Sequence, residues 1–87
     1  MEKNYVFVGF RHLKGKSQKS GRDYDFFVCH FVCDFPSYVL PEDSGGQMTD
    51  DFQINNELFY KLDMADKVGK SCQILFNQFG RVDTIVF

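Results

Sequence analysis

The chain has no tryptophan, two prolines and three cysteines in 87 residues. Each scarcity excludes something. Four tyrosines are left as the main near-ultraviolet absorbers, so any co-purifying material that absorbs at 260 nm would stand out. An odd cysteine count with no secretory leader argues against a disulfide framework, and a reducing cytoplasm is the expected compartment. No apolar run approaches membrane length, so no spanning helix is expected. His12 and His30 stand outside any recognisable nucleophile motif, and there is no phosphate-binding glycine signature. Glu42, Asp43, Asp50 and Asp51 fall in a stretch too polar to raise a carboxyl pKa by burial. No enzymatic chemistry, small-molecule substrate or cofactor is expected.

A metal site is also disfavoured. Cys29, His30 and Cys33 are close in sequence on what reads as a strand, with Cys72 elsewhere. Strand positions four apart are separated by about 13 Å, at about 3.3 Å per residue. Two thiolates on one tetrahedral zinc, with bonds of about 2.3 Å, lie within about 4 Å of each other. One strand cannot offer both to a single ion, so the cysteines are assigned to the core.

What the chain has in plenty is aromatic surface and unevenly placed charge. Eleven phenylalanines and four tyrosines provide large buried area for a small domain and leave rings for the surface. Net charge is −2, but residues 1–33 carry six positive and three negative charges, and residues 34–87 carry four and nine. Arg11, Lys14, Lys16, Lys19 and Arg22 lie in one acid-free, glycine-punctuated stretch that runs into Tyr24-Asp-Phe-Phe27. Basic charge on a turn followed by aromatics on a strand suits a flexible polyanion with stackable bases, so single-stranded nucleic acid is the first candidate. The bland alternative is a solvated turn.

The pattern predicts a mainly β single domain over residues 1–87. Residues 4–10 read as a strand, with Gly9 permitting a bulge. Residues 24–35 form a second strand, with Phe27, Cys29, Phe31, Cys33 and Phe35 facing inward and Tyr24, Phe26, Val28, His30, Val32 and Asp34 outward. Its length suggests a hairpin that projects at the basic end. Pro36 and Pro41 interrupt pairing, residues 42–51 read as an acidic surface loop, and Phe52–Ile54 as a short strand. Asn55 or Asn56 caps a short helix to about Leu62, buried through Leu58, Phe59 and Leu62. Val68–Lys70 is a turn, and residues 71–77 and 81–87 form a closing hairpin about Gln78-Phe79-Gly80. This order matches a small five-stranded, partly closed barrel of the oligonucleotide-binding (OB) type with a projecting basic hairpin and one short helix. An SH3-like barrel is the alternative.

Phe79, at the tip of a tight turn, either folds back on the barrel, stacks on a base or inserts into a partner. Arg81 beside it contacts phosphate or pairs with Asp83 on the same strand face.

Ser17-Gln-Lys-Ser-Gly21-Arg22-Asp-Tyr24 resembles the DNA-binding wing of the gene V-type single-stranded DNA-binding proteins of filamentous phages, also called helix-destabilising proteins. Gln78-Phe79-Gly80 resembles that family's second hairpin. The resemblance implies Arg22 and Tyr24 in wing contacts, and Phe79 near a dimer dyad in contact with DNA on the partner subunit. It further implies a homodimer that coats single-stranded DNA during replication of a phage or mobile element, in the host cytoplasm. Residues 42–51 and 55–62 depart from the family pattern, and Asp23 and Asp25 flank the tyrosine.

The sequence-level expectation is a sequence-tolerant binder of single-stranded DNA, or RNA, without cofactor or metal. Arg11, Lys14, Lys16, Lys19, Arg22 and Arg81 hold phosphates, and Tyr24, Phe26 and Phe79 stack bases. The rival is a small protein–protein module, an inhibitor or assembly adaptor, that uses the acidic loop and exposed aromatics. Double-stranded DNA is disfavoured because no basic recognition helix is evident.

Overall fold

Two long antiparallel strands set the architecture. In the computed structural model, which describes residues 4–87, β1 (Tyr5–Lys16) and β2 (Asp23–Cys33) form an arm, followed by β3 (Met48–Ile54), helix α1 (Asn56–Lys61), β4 (Ser71–Phe76) and β5 (Val82–Val86). Short 3-10 turns occupy Pro41–Asp43 and Met64–Lys67. All five strands belong to one antiparallel sheet ordered β3-β2-β1-β4-β5. β1 is central because it pairs with β2 along its length and with β4 at Tyr5 and Val6. The principal extents of 46 × 29 × 26 Å reflect the projecting arm.

The expected inward set on β2 is buried from Phe27 to Cys33, and the strand ends before Phe35, which is half-buried ahead of Pro36. A bulge falls at Val8, beside Gly9: Phe7 pairs with Phe31 and Gly9 with His30. The extra residue flips the parity of β1, so the inward positions are Tyr5 and Phe7 before the bulge and Phe10 and His12 after it.

Three expectations need correction. The barrel is not closed, since no ladder joins the outer strands β3 and β5, although the two edges approach each other. β1 does not end at Phe10 but runs to Lys16, because Lys14, Gly15 and Lys16 find partners in Asp25, Tyr24 and Asp23. Residues 48–51 are not loop but the first half of β3, paired with residues 30–33. Asp50 tolerates an inward-leaning position because the Tyr5 hydroxyl donates to its Oδ2 at 3.3 Å. Burial first, and Asp50 second, push the Tyr5 hydroxyl pKa up to about 12.

Helix α1 closes one end of the core. The Asn55 side chain accepts from the Leu58 backbone N–H at 2.8 Å, the expected N-cap. Phe59 is buried, with Leu58 and Leu62 packed beside it. Its ring stacks on Phe27 at 3.6 Å between centroids and meets Phe10 edge-on at 5.0 Å. Such pairs add about 0.5–1.5 kcal/mol each beyond burial. The three cysteines are buried in this core, and desolvation pushes Cys29 to about 12 and Cys72 to about 11. No helix among the described residues is long and apolar enough to cross a membrane.

Candidate nucleic-acid interface

The arm tip is a turn from Ser17 to Arg22, closed by Ser17 N–H donating to the Arg22 carbonyl and Gly21 N–H to that of Ser17, both at 2.8 Å. Ser17 and Ser20 hydroxyls accept from the Ser20 and Arg22 amides at 3.4 and 3.3 Å. Lys19 and Arg22 are therefore held on an ordered turn with their side chains in solvent.

The pleat then sorts the remaining candidates onto two faces. One face carries Tyr24, Phe26 and Val28 of β2 opposite Gly15, Leu13 and Arg11 of β1. The other carries Lys14 and Lys16 opposite Asp25 and Asp23, with His12 opposite Phe27. Lys14 and Lys16 thus do not share a face with the exposed rings, and neither do the two aspartates that flank Tyr24 in sequence.

Tyr24 has a defined seat. Its ring lies over Gly15, with the hydroxyl 2.8 Å from where a Cβ would stand, so a side chain at this position would push the ring aside. The Tyr24 ring is 6.0 Å from that of Phe26 and the residue stays 42% exposed. Phe26 is half-buried.

On the opposite face, His12 Nε2 contacts Asp25 Oδ1, and the Asn56 side chain also bonds Asp25. The Asn56 bond first, then His12, hold the Asp25 carboxyl below its ordinary pKa. Asn56 Oδ1 is buried with no partner among the described residues. The His12 ring stacks on Phe27 at 4.3 Å, so this face ties the arm to α1.

At the second hairpin, Asn77 Oδ1 accepts from the Phe79 and Arg81 amides at 2.9 and 3.1 Å, and Gly80 takes φ of +76°. This side-chain-to-backbone turn presents Phe79 outward, 77% exposed and without a ring neighbour among the described residues. Of the routes open to Phe79, folding back on its own core is not the one taken. Arg81 forms no ion pair with Asp83 or any other acid among the described residues.

Arg81 lines a cleft of about 450 Å³ between β3 and the start of β5. Asp51 and Gln53 line it from β3. These two were missed as site residues because consecutive acids masked the strand alternation of residues 48–54. They share the outward face of Tyr24 and Phe26, since Gln53 pairs with Val28 and Asp51 with His30. His30 Nδ1 and Asp51 Oδ1 are hydrogen-bonded at 2.6 Å. Among the described residues no three His, Cys, Asp or Glu side chains gather as metal ligands.

Compared with models of protein families, with characterised proteins and with solved structures, the chain matches none.

Proposed function

We propose that this protein binds single-stranded DNA with little sequence preference, as a homodimer, on an OB-type barrel left open at the β3–β5 seam. The observation that carries the reading is the arm face on which Tyr24 and Phe26 remain accessible directly behind the turn bearing Lys19 and Arg22. Bases stack on the two rings while the turn cations and Arg11 track the backbone, and Phe79 with Arg81 supplies a second contact point. Lys14 and Lys16 contribute at longer range, because they start from the aspartate-bearing face. The uneven charge keeps the phosphates on the arm side and repels them from the acids at Asp34, Glu42 and Asp43. A partly open five-stranded sheet with two presented hairpins supports the OB-type assignment. The replication of a phage or mobile element is the setting that the two hairpin motifs suggest.

The test is fluorescence anisotropy of a labelled 20-nucleotide strand at low salt, with the protein's mass measured with and without it. Saturable binding by a dimer supports the proposal, and absence of binding refutes it. A protein–protein module is the second reading, favoured by the exposed Tyr38 (83%) and Leu40 (52%) beside Glu42 and Asp43. Under that reading purified protein shows no excess absorbance at 260 nm and ignores oligonucleotides.

A further inference from the structure

The β3–β5 cleft carries polar chemistry that stacking and phosphate contacts do not use. We propose that it takes one nucleobase with an exocyclic amine beside a ring acceptor nitrogen, cytosine or adenine, with Asp51 as acceptor and Gln53 as donor. This rests on the single-stranded DNA reading above and adds one selective subsite to an otherwise sequence-tolerant track.

Asp51 and Gln53 are two residues apart on β3, so both side chains leave the same face about 7 Å apart. His30 holds Asp51 Oδ1 at 2.6 Å, which orients the carboxylate and leaves Oδ2 with no hydrogen-bond partner among the described residues. The Gln53 amide likewise makes no side-chain hydrogen bond among the described residues. A cleft of about 450 Å³ lies within the ~300–1,000 Å³ range of small-ligand sites. Phe52 and Leu58, which pack against the core, also line the cleft.

The sign of the charge decides which part of a nucleotide enters. A carboxylate in the cleft repels phosphate but accepts from an amine, as Asp does from cytosine N4. Arg81, on the β5 side, is available for the phosphate. Thymine presents a carbonyl in place of the amine, so it meets the carboxylate with lone pair against lone pair. The track is continuous as well. Gln53 pairs with Val28, which lies two residues beyond Phe26 on the same face and about 13 Å along the strand from Tyr24. A strand stacked on the arm reaches the cleft within a few nucleotides.

The experiment is anisotropy titration of 5′-fluorescein-labelled (dC)12 and (dT)12 against the full chain, its Asp51→Asn variant and its Tyr24→Ala variant. Wild type is expected to bind (dC)12 roughly 5–100-fold more tightly than (dT)12. Asp51→Asn keeps the side-chain volume, and its loss of charge raises affinity for both strands alike, so the ratio is the readout. It should fall below about two-fold, while Tyr24→Ala weakens both strands and preserves it. A wild-type ratio near one, or a ratio that Asp51→Asn leaves unchanged while Tyr24→Ala still weakens both, overturns the cleft assignment and leaves the single-stranded DNA reading standing. Failure of both strands to bind at low salt overturns both.

Discussion

The two faces of the β1–β2 arm are built from the same residues in alternation, yet they have opposite chemistry. One face sets Lys14 and Lys16 against Asp25 and Asp23 and locks His12, Asp25 and Asn56 together over the Phe27–Phe59 stack. The other leaves Tyr24, Phe26 and Arg11 with no acid opposite them on β1 or β2. The first face is spent on holding the arm to the helix, and the second stays available. Local charge in sequence is therefore a poor guide to the field a ligand meets, because the aspartates that flank Tyr24 point away from it.

The largest expected effect is on the anchoring face. Phe27→Ala removes a ring stacked on both His12 and Phe59 and should cost about 3–5 kcal/mol in urea unfolding. An effect below 1 kcal/mol would mean that the arm is not anchored there. On the open face, Tyr24→Ala should reverse the balance: oligonucleotide affinity falls by about 1–3 kcal/mol while the urea midpoint barely moves. Loss of folding without loss of affinity would return Tyr24 to a packing role.

A finer contrast compares cations on the two faces. Arg11→Ala should reduce the steepness of the log affinity against log salt plot by about 0.7, the value of one phosphate contact on a single strand. Lys14→Ala, beside Asp25, should change it less, and equal changes would erase the distinction between the faces.

The smallest effect is a pH dependence. Asp25 is held below its ordinary 3.8 by Asn56 and then His12, so its contribution is present above that value and lost as pH falls through the lower folded value. Urea midpoints from pH 7 down to pH 2 should show a shallower acid-side decline for Asp25→Asn than for wild type. Parallel curves would show that the carboxyl is not engaged.

How much of this was legible in sequence follows from the same physics. β2 reads cleanly because its inward positions are apolar without exception from Phe27 to Cys33, and α1 reads cleanly through its Asn55 cap. The outer half of β1 does not, since Arg11–Lys16 has turn-like composition and becomes strand only through its partners on β2. β3 was half hidden because Asp50 points inward, a choice that makes sense only with the Tyr5 hydroxyl in reach. The division of cations between faces required the Val8 bulge, which shifts the parity of β1 and leaves no mark beyond Gly9. The Asp51–Gln53 cleft required the open seam, which depends on how far the sheet curls.

The most direct measurement is the affinity of the wild-type protein for a labelled single strand across a salt series from about 20 to 300 mM. Binding at low salt is expected to weaken linearly on a log–log plot, with a slope reporting a few phosphate contacts from Arg11, Lys19, Arg22 and Arg81. Affinity that is indifferent to salt, or no binding at the low-salt end, would contradict it.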